Sequence, residues 1–148
     1  MANVQTLSDY NVTDQRAAVV SKRKLYSDLD LSLALHPIFH DITPLTDTDA
    51  VIGSVRNLVM TNFNERPFQP YLGSNLRGLL FEPADKITII CLRESIHGIL
   101  SKYESRVDSV AVNVIDDSER NRYHVTISFR VIIPNQTVDM TLYLLRIR

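Results

Sequence analysis

Cys91 is the only cysteine in the chain, so no internal disulfide can form and a disulfide-stapled scaffold is excluded. Its neighbours Ile89, Ile90 and Leu92 predict a buried, inert thiol rather than a nucleophile. An excess of charge of one sign is also missing. The 16 Lys and Arg face 17 Asp and Glu, for a net charge of −1, and no bulk attraction to nucleic acid or to an anionic membrane follows. No apolar run approaches the ~18 residues of a membrane span, and the start has no apolar signal-peptide core. Cytoplasmic synthesis is expected, with neither membrane nor nucleic acid as partner. The chain has no Gly-x-Ser-x-Gly, no phosphate-binding loop, no Gly-x-Gly-x-x-Gly and no cluster of Cys and His. His36 and His40 have a spacing that could hold a metal on a helix, but Pro37 argues against a helix there. No metal and no cofactor are expected.

The 148 residues are 45% hydrophobic and 22% charged, which suits one domain with its own core. Residues 1–24 carry scattered apolar positions and end in Lys22-Arg23-Lys24. They read as an N-terminal arm, either a solvated terminus or a segment that orders against a neighbouring subunit. Residues 25–148 read as a single domain. Leu29, Leu31, Leu33 and Leu35 alternate with Asp28, Asp30, Ser32 and Ala34, a strand pattern over Leu25–Leu35 whose first half, with its two aspartates, reads as a turn or strand entry, and which His36-Pro37 ends. Asp47 or Thr48 can cap a helix whose stripe is Val51, Ile52, Val55, Leu58 and Val59, and Asn62 to Asn64 end it. Leu72, Leu76, Leu79 and Leu80 mark a short amphipathic helix. The longest helical pattern runs from Asp85, a candidate cap, to about Glu104, with Ile89, Leu92, Ile96, Ile99, Leu100 and Tyr103 as its stripe. Ile87, Ile90 and Cys91 widen that stripe and predict cover on more than one side. Gly98 costs about 1 kcal/mol in a helix interior and predicts close approach by another backbone. His97 reads as a packing histidine.

The last third alternates with period two. Val110, Val112 and Val114 come first. After the polar turn Asp116–Asn121 follow Tyr123, Val125, Ile127, Phe129 and Val131; after Pro134-Asn-Gln come Val138, Met140, Leu142 and Leu144. The fold class is therefore α+β, with about three helices packed on a small, mainly antiparallel sheet that ends in a three-strand meander. The core should include Val55, Leu58, Leu80, Ile96, Val112, Ile127 and Leu142. Such a meander leaves an edge of free N–H and C=O groups, which invites another strand. The outward positions Thr126, Ser128, Asp139 and Thr141 are candidates for that docking.

The stretch Glu65 to Pro83 holds three of the six prolines and two of the four glycines, and sets how the helices on either side enter the fold. Its motifs are Asn62-x-x-Glu65-Arg66-Pro67-Phe68, then Pro70-x-Leu72-Gly73, then Leu76-x-x-Leu79-Leu80-Phe81-Glu82-Pro83. With Leu25-Tyr-Ser-Asp-Leu-Asp30 and the run Tyr103 to Val114, these resemble the small baseplate wedge proteins of contractile-tailed phages. That family includes the tail W proteins and a baseplate component of type VI secretion systems. The resemblance covers about Leu25 to Arg148.

It implies a structural component of a virion's tail baseplate. In that family the helical part holds wedge proteins together, and the terminal strands resemble the sheath subunit's own sheet and template the first sheath ring. The implied partners are other wedge proteins and the tail sheath subunit, with Glu65, Arg66, Pro67, Phe68, Glu82 and Pro83 as contact residues. Most secretion-system relatives read Glu-Pro-Arg where this chain has Glu82-Pro83-Ala84, so a contact made through that arginine is in doubt. An anti-adaptor regulator of the same fold family is the alternative. A peptidoglycan hydrolase, a label the family has carried, would need an acid of raised pKa and a second carboxylate. Glu82 with Asp85, or Glu65 with Glu82, are weak candidates for that pair, and no enzymatic activity is expected.

Overall fold

The computed structural model describes residues 24–38 and 40–146. The expected N-terminal arm lies, but for its last residue, outside the described residues. Strand β1 (Ser27–Leu29) pairs antiparallel with β2 (Pro44–Thr46), and helix α1 (Thr48–Met60) follows at once. A long connection leads to one turn of helix, α2 (Leu76–Leu79), and then to α3 (Lys86–Tyr103). The chain ends in β3 (Val107–Asp117), β4 (Arg122–Val131) and β5 (Gln136–Leu145), an antiparallel meander in the order β3-β4-β5.

Period-two alternation buries one face of this sheet. Tyr123, Val125, Ile127, Phe129 and Val131 of β4 are wholly buried, with Met140, Leu142 and Leu144 of β5 and Val114 of β3 beside them. Helix α3 covers that face with Leu92, Ile96, Ile99 and Leu100, and α1 adds Val51, Val55, Leu58 and Val59 to the same cluster. Full burial stabilises by roughly 1.5–3 kcal/mol per large apolar side chain. The result is an α+β domain with helices on one face of a three-stranded sheet. Of the expected core, Val112 is only half-buried; the other six residues are buried.

One ion pair ties the layers together. Glu104, 5% exposed, closes the end of α3 and accepts four bonds, one of them from the Arg106 backbone N–H to Oε1 at 3.4 Å. Ser54 Oγ of α1 donates to Oε2 at 2.7 Å, Arg106 Nε to Oε1 at 2.7 Å, and Arg106 Nη2 to Oε2 at 2.8 Å. The Arg106 guanidinium also lies 5.5 Å from the centre of the Tyr26 ring, next to β1. Burial pushes the Glu104 carboxyl up, but the Arg106 and Ser54 hydrogen bonds outweigh it and hold the group below the usual carboxylate value.

Several expectations fail for identifiable reasons. The Leu25–Leu35 strand shrinks to Ser27–Leu29. The Asp30 carboxylate accepts the Ser32 N–H and hydroxyl at 2.9 and 2.7 Å, and Leu33 turns to φ 53°. A local aspartate turn thus outcompetes the ladder. Leu29, Leu31, Leu33 and Leu35 are 50–66% exposed in consequence. The helix read over Leu72–Leu80 is helical only at Leu76–Leu79, because Ser74 bridges Asn62 and its hydroxyl donates to the Val59 carbonyl at 3.2 Å.

Asp47 and Asp85 stand at the N-caps of α1 and α3, yet neither side chain bonds its own helix. Asp47 instead accepts the Leu25 N–H at 2.9 Å, fastening β1 to the start of α1. On α3 the widened stripe is not covered. Ile87 and Ile90 are 72% and 44% exposed, Cys91 is half-buried, and His97 is exposed. A Cβ at Gly98 would meet nothing within 4 Å, so among the described residues no backbone makes the close approach expected there.

Replacing Glu104 by Ala strands the Arg106 guanidinium and the Ser54 hydroxyl, and is expected to cost about 1–3 kcal/mol at neutral pH. A carboxyl whose folded pKa lies below its unfolded value stabilises above that unfolded value and loses the contribution as pH falls through the folded one. Denaturant unfolding of both proteins should therefore show the difference constant from neutral pH to near 4.5, the unperturbed value, and shrinking below it. A gap that persists undiminished in strong acid would remove the carboxylate from this role.

Candidate partner-binding site

The candidate contact residues fall on three parts of the surface. The first is the loop between α1 and α2. Its base is closed by Phe63 N–H donating to the Ser74 carbonyl at 3.2 Å and Ser74 N–H to the Thr61 carbonyl at 2.9 Å. Gly73 has φ 136°, and a Cβ there would lie 2.7 Å from the Asn62 carbonyl. The glycine is required by that close approach. Higher up, Asn64 N–H donates to the Pro70 carbonyl at 2.9 Å and Gln69 N–H to the Arg66 carbonyl at 3.3 Å. Tyr103 of α3 holds the far side, its hydroxyl donating to the Tyr71 carbonyl at 2.9 Å.

Glu65 works inside this loop. Its carboxylate accepts the Asn62 side-chain N–H at 2.7 Å and the Asn62 backbone N–H at 2.8 Å, and these bonds hold its pKa below the usual range. Arg66 and Pro67 are exposed. Phe68 stands at the tip, fully exposed, with φ 71°. A rigid loop thus carries an unburied aromatic side chain on a left-handed backbone, and both features oppose stability.

The second part is the junction between α2 and α3. Glu82 and Pro83 are exposed, and no hydrogen bond or ion pair occupies the Glu82 carboxylate among the described residues. The Pro83 carbonyl accepts the Thr88 hydroxyl at 2.8 Å, which fixes the entry to α3. Ala84 packs half-buried against the core, so its side chain is directed inward.

The third part is the sheet edge. Thr126 and Ser128 lie on β4, the middle strand, and pair with Asn113 and Ala111 on one side and with Thr141 and Asp139 on the other. A strand cannot be added there, which corrects the expectation for these two positions. Asp139 and Thr141 lie on the edge strand β5. Arg146 N–H donates to the Asn121 carbonyl at 3.0 Å, one step beyond the pair Arg122 and Leu145. Bonded and non-bonded pairs alternate along an antiparallel ladder, so even-numbered residues of β5 bond β4. The N–H and C=O groups of Thr137, Asp139, Thr141, Tyr143 and Leu145 therefore point to the free edge. The bond from Ile132 N–H to the Arg106 carbonyl, 3.0 Å, agrees: even-numbered residues of β4 bond β3.

A groove of about 440 Å³ opens where β5 meets the helices, lined by Val59, Met60, Asn62, Glu65, Leu76, Arg77, Leu80, Tyr143, Leu144 and Leu145. It brings Glu65 of the first part to the end of the third. Met60, Arg77 and Leu145 were not legible as site residues, since nothing in their local patterns says that α1, α2 and β5 converge. On the other side of Met60 and Glu65 a cleft of about 730 Å³ is lined by Arg66, Leu72, Tyr103 and Glu104 among others. Among the described residues no group of three or more His, Cys, Asp and Glu could hold a metal, and no helix is long and apolar enough to cross a membrane.

Residues 46–136 match the family described as baseplate wedge protein gp25. Over 109 residues, 74% of this chain and 82% of the relative, the sequence is 31% identical to the baseplate wedge protein gp25 of Enterobacteria phage T4. Three solved structures share the fold. A putative tail lysozyme from Geobacter sulfurreducens matches with a TM-score of 0.61 at 18% identity, over 66% of this chain and 89% of that one. A chain of the anti-feeding prophage baseplate matches at 0.53 and 14%, over 83% and 87%. A chain of the postcontraction pyocin R2 baseplate matches at 0.52 and 19%, over 72% and 98%.

Because glycine accepts φ 71° at no steric cost, Phe68→Gly should relieve about 1–2 kcal/mol of backbone strain and lose roughly half of that gain to the freer unfolded chain. The melting temperature is expected to stay level or rise slightly. A clear drop would mean that Phe68 supports the loop from within.

Proposed function

We propose a sheath-docking role for this chain, which belongs to the baseplate wedge protein gp25 family and is a structural component of a contractile-tail baseplate in the virion. The helical layer and its loop hold the wedge, and the free edge of β5 receives a strand of the tail sheath subunit, starting the first sheath ring. The observation that carries this reading is the parity of β5. The main-chain groups directed to the open edge belong to Thr137, Asp139, Thr141, Tyr143 and Leu145, and the side chains of these residues face solvent. An incoming strand can pair without disturbing the core, main-chain bonds supplying affinity and alternate side chains register.

The wedge contacts are assigned to Arg66, Pro67 and Phe68 at the loop tip and to Glu82 and Pro83 at the helix junction. Glu65 serves them indirectly, through its bonds to Asn62. A peptidoglycan hydrolase reading lacks support. Each carboxyl whose titration is displaced among the described residues is displaced downward, whereas glycosidic cleavage needs one held protonated. An anti-adaptor role has no observation in its favour once the family is known.

Proline at Asp139 or Thr141 deletes a donor from the free edge and leaves the β4–β5 bonds alone. These variants should fold, enter baseplates normally and fail to start a sheath. Full-length sheaths on baseplates built from both would end the strand-addition reading. Thr126→Pro and Ser128→Pro remove bonds between β4 and β3, and are expected to destabilise the chain itself.

Glu82→Gln tests the wedge contact separately. A charge-assisted bond to a partner arginine contributes about 1.5–3 kcal/mol, so wedge assembly should weaken by tenfold or more at an unchanged melting temperature. Unaltered assembly would release Glu82 from the interface.

A further inference from the structure

Resting on the strand-docking reading, we infer that the incoming segment is anchored by a large apolar side chain that enters the groove between the end of α1, α2 and β5. On the β5 edge, Tyr143 and Leu145 offer their N–H and C=O groups outward while Leu144 does not. A strand laid along that edge exchanges bonds with Tyr143 and Leu145, and its intervening residue sits opposite Leu144. Side chains directly opposite in an antiparallel pair share a face. Leu144 faces the core, so the opposing side chain is directed to the helical side of the sheet.

On that side the sheet is not sealed. The groove there measures about 440 Å³, and Met60, Leu76, Leu80 and Leu144 supply its apolar wall. Met60, the last residue of α1, is 57% exposed, whereas Leu76, Leu80 and Leu144 are buried flank. The edge demands an extended backbone and the groove demands an apolar side chain at one register position. Together they select a segment that alternates, with its apolar residue opposite Leu144 and its neighbours lying beside the outward Tyr143 and Leu145. Arg77 and Glu65 at the rim present opposite charges, which leaves apolar fit to set the anchor. Of the five edge-facing residues of β5, Tyr143 and Leu145 are the ones that line this groove among the described residues, so docking is centred at the C-terminal end of the strand.

The test uses the full chain and, as probe, the purified monomeric sheath subunit of the same tail. Met60→Lys puts a charge into the groove wall at an exposed position and leaves the ladder untouched; Met60→Gln is the milder second variant, and Met60→Leu the conservative one. Sheath-subunit affinity should fall tenfold or more for Met60→Lys, fall less for Met60→Gln and hold for Met60→Leu, with melting temperatures unchanged. Thr141→Pro separates the two ideas. If Thr141→Pro abolishes binding while Met60→Lys and Met60→Gln bind as wild type, strand addition stands and the apolar anchor is overturned. If Met60→Lys weakens binding and Thr141→Pro does not, the occupant is not an added strand and both fall. Wild-type self-association that Met60→Lys abolishes, with no binding of the sheath subunit, would assign the groove to a second copy and overturn the inference as stated.

Discussion

Five inward side chains on one strand, Tyr123, Val125, Ile127, Phe129 and Val131, keep at most 1% of their surface in water, and that burial constrains everything around them. The period of a strand is two, so a slip of one residue would bury His124, Thr126, Ser128 and Arg130 instead. No rearrangement elsewhere could repay the desolvation of that row. β4 is therefore fixed in register against two neighbours, and α3 can bury its own stripe only against the face they share. The free edges then fall to β3 and β5 by necessity. An open edge on either side of β4 is in this sense a consequence of where the core residues had to go.

What the core leaves uncovered is unevenly spread. Leu31, Leu33, Leu35 and Ile38 crowd the connection between β1 and β2; Phe68 and Tyr71 crown the loop; Ile87 and Ile90 lie on the first turns of α3; Tyr143 and Leu145 border the groove. Scattered apolar residues are normal on any surface, but clusters of large ones mark places where another molecule is expected. The open space over Gly98 has the same character. Among the described residues its helical cost of about 1 kcal/mol brings no packing in return. For a baseplate component, surfaces that are unfinished alone are available to neighbours.

The meander, α1 and α3 were legible in the sequence because each rests on an unbroken period with many contributing residues. Errors cluster where one polar side chain overrules a short pattern. Asp30 closes a turn across the expected first strand, Ser74 delays α2, and Asp47 spends its carboxylate on Leu25 and Tyr26 rather than on α1. Alternation over a few leucines cannot compete with a carboxylate two residues from a free N–H. The candidate site was half legible. Glu65, Phe68 and Glu82 stand out as motif residues, but which of them is occupied and which is free depends on Asn62 and on the loop's closure. The edge strand could not be named from sequence, because sheet order is a tertiary property.

The two edges are not equivalent, and the difference bears on which one a partner can use. β3 is irregular: its register shifts between Asp108 and Ala111, and Ser109 takes φ 55°. Asp108 and Asp117 line it in ion pairs with Arg130 and Arg122. Bulges and charges of this kind are how a sheet discourages pairing. After the shift, Ala111, Asn113 and Ile115 oppose the even-numbered residues of β4, so the groups left for the open edge belong to Val110, Val112 and Val114, whose side chains are committed to the core. β5 runs ten pairs without a break. Along Thr137 to Leu145 its edge-facing residues present their side chains outward and include one charge, Asp139. A partner strand at β3 would have to accommodate a bulge and paired charges, whereas at β5 it meets a regular ladder that leads into an apolar recess.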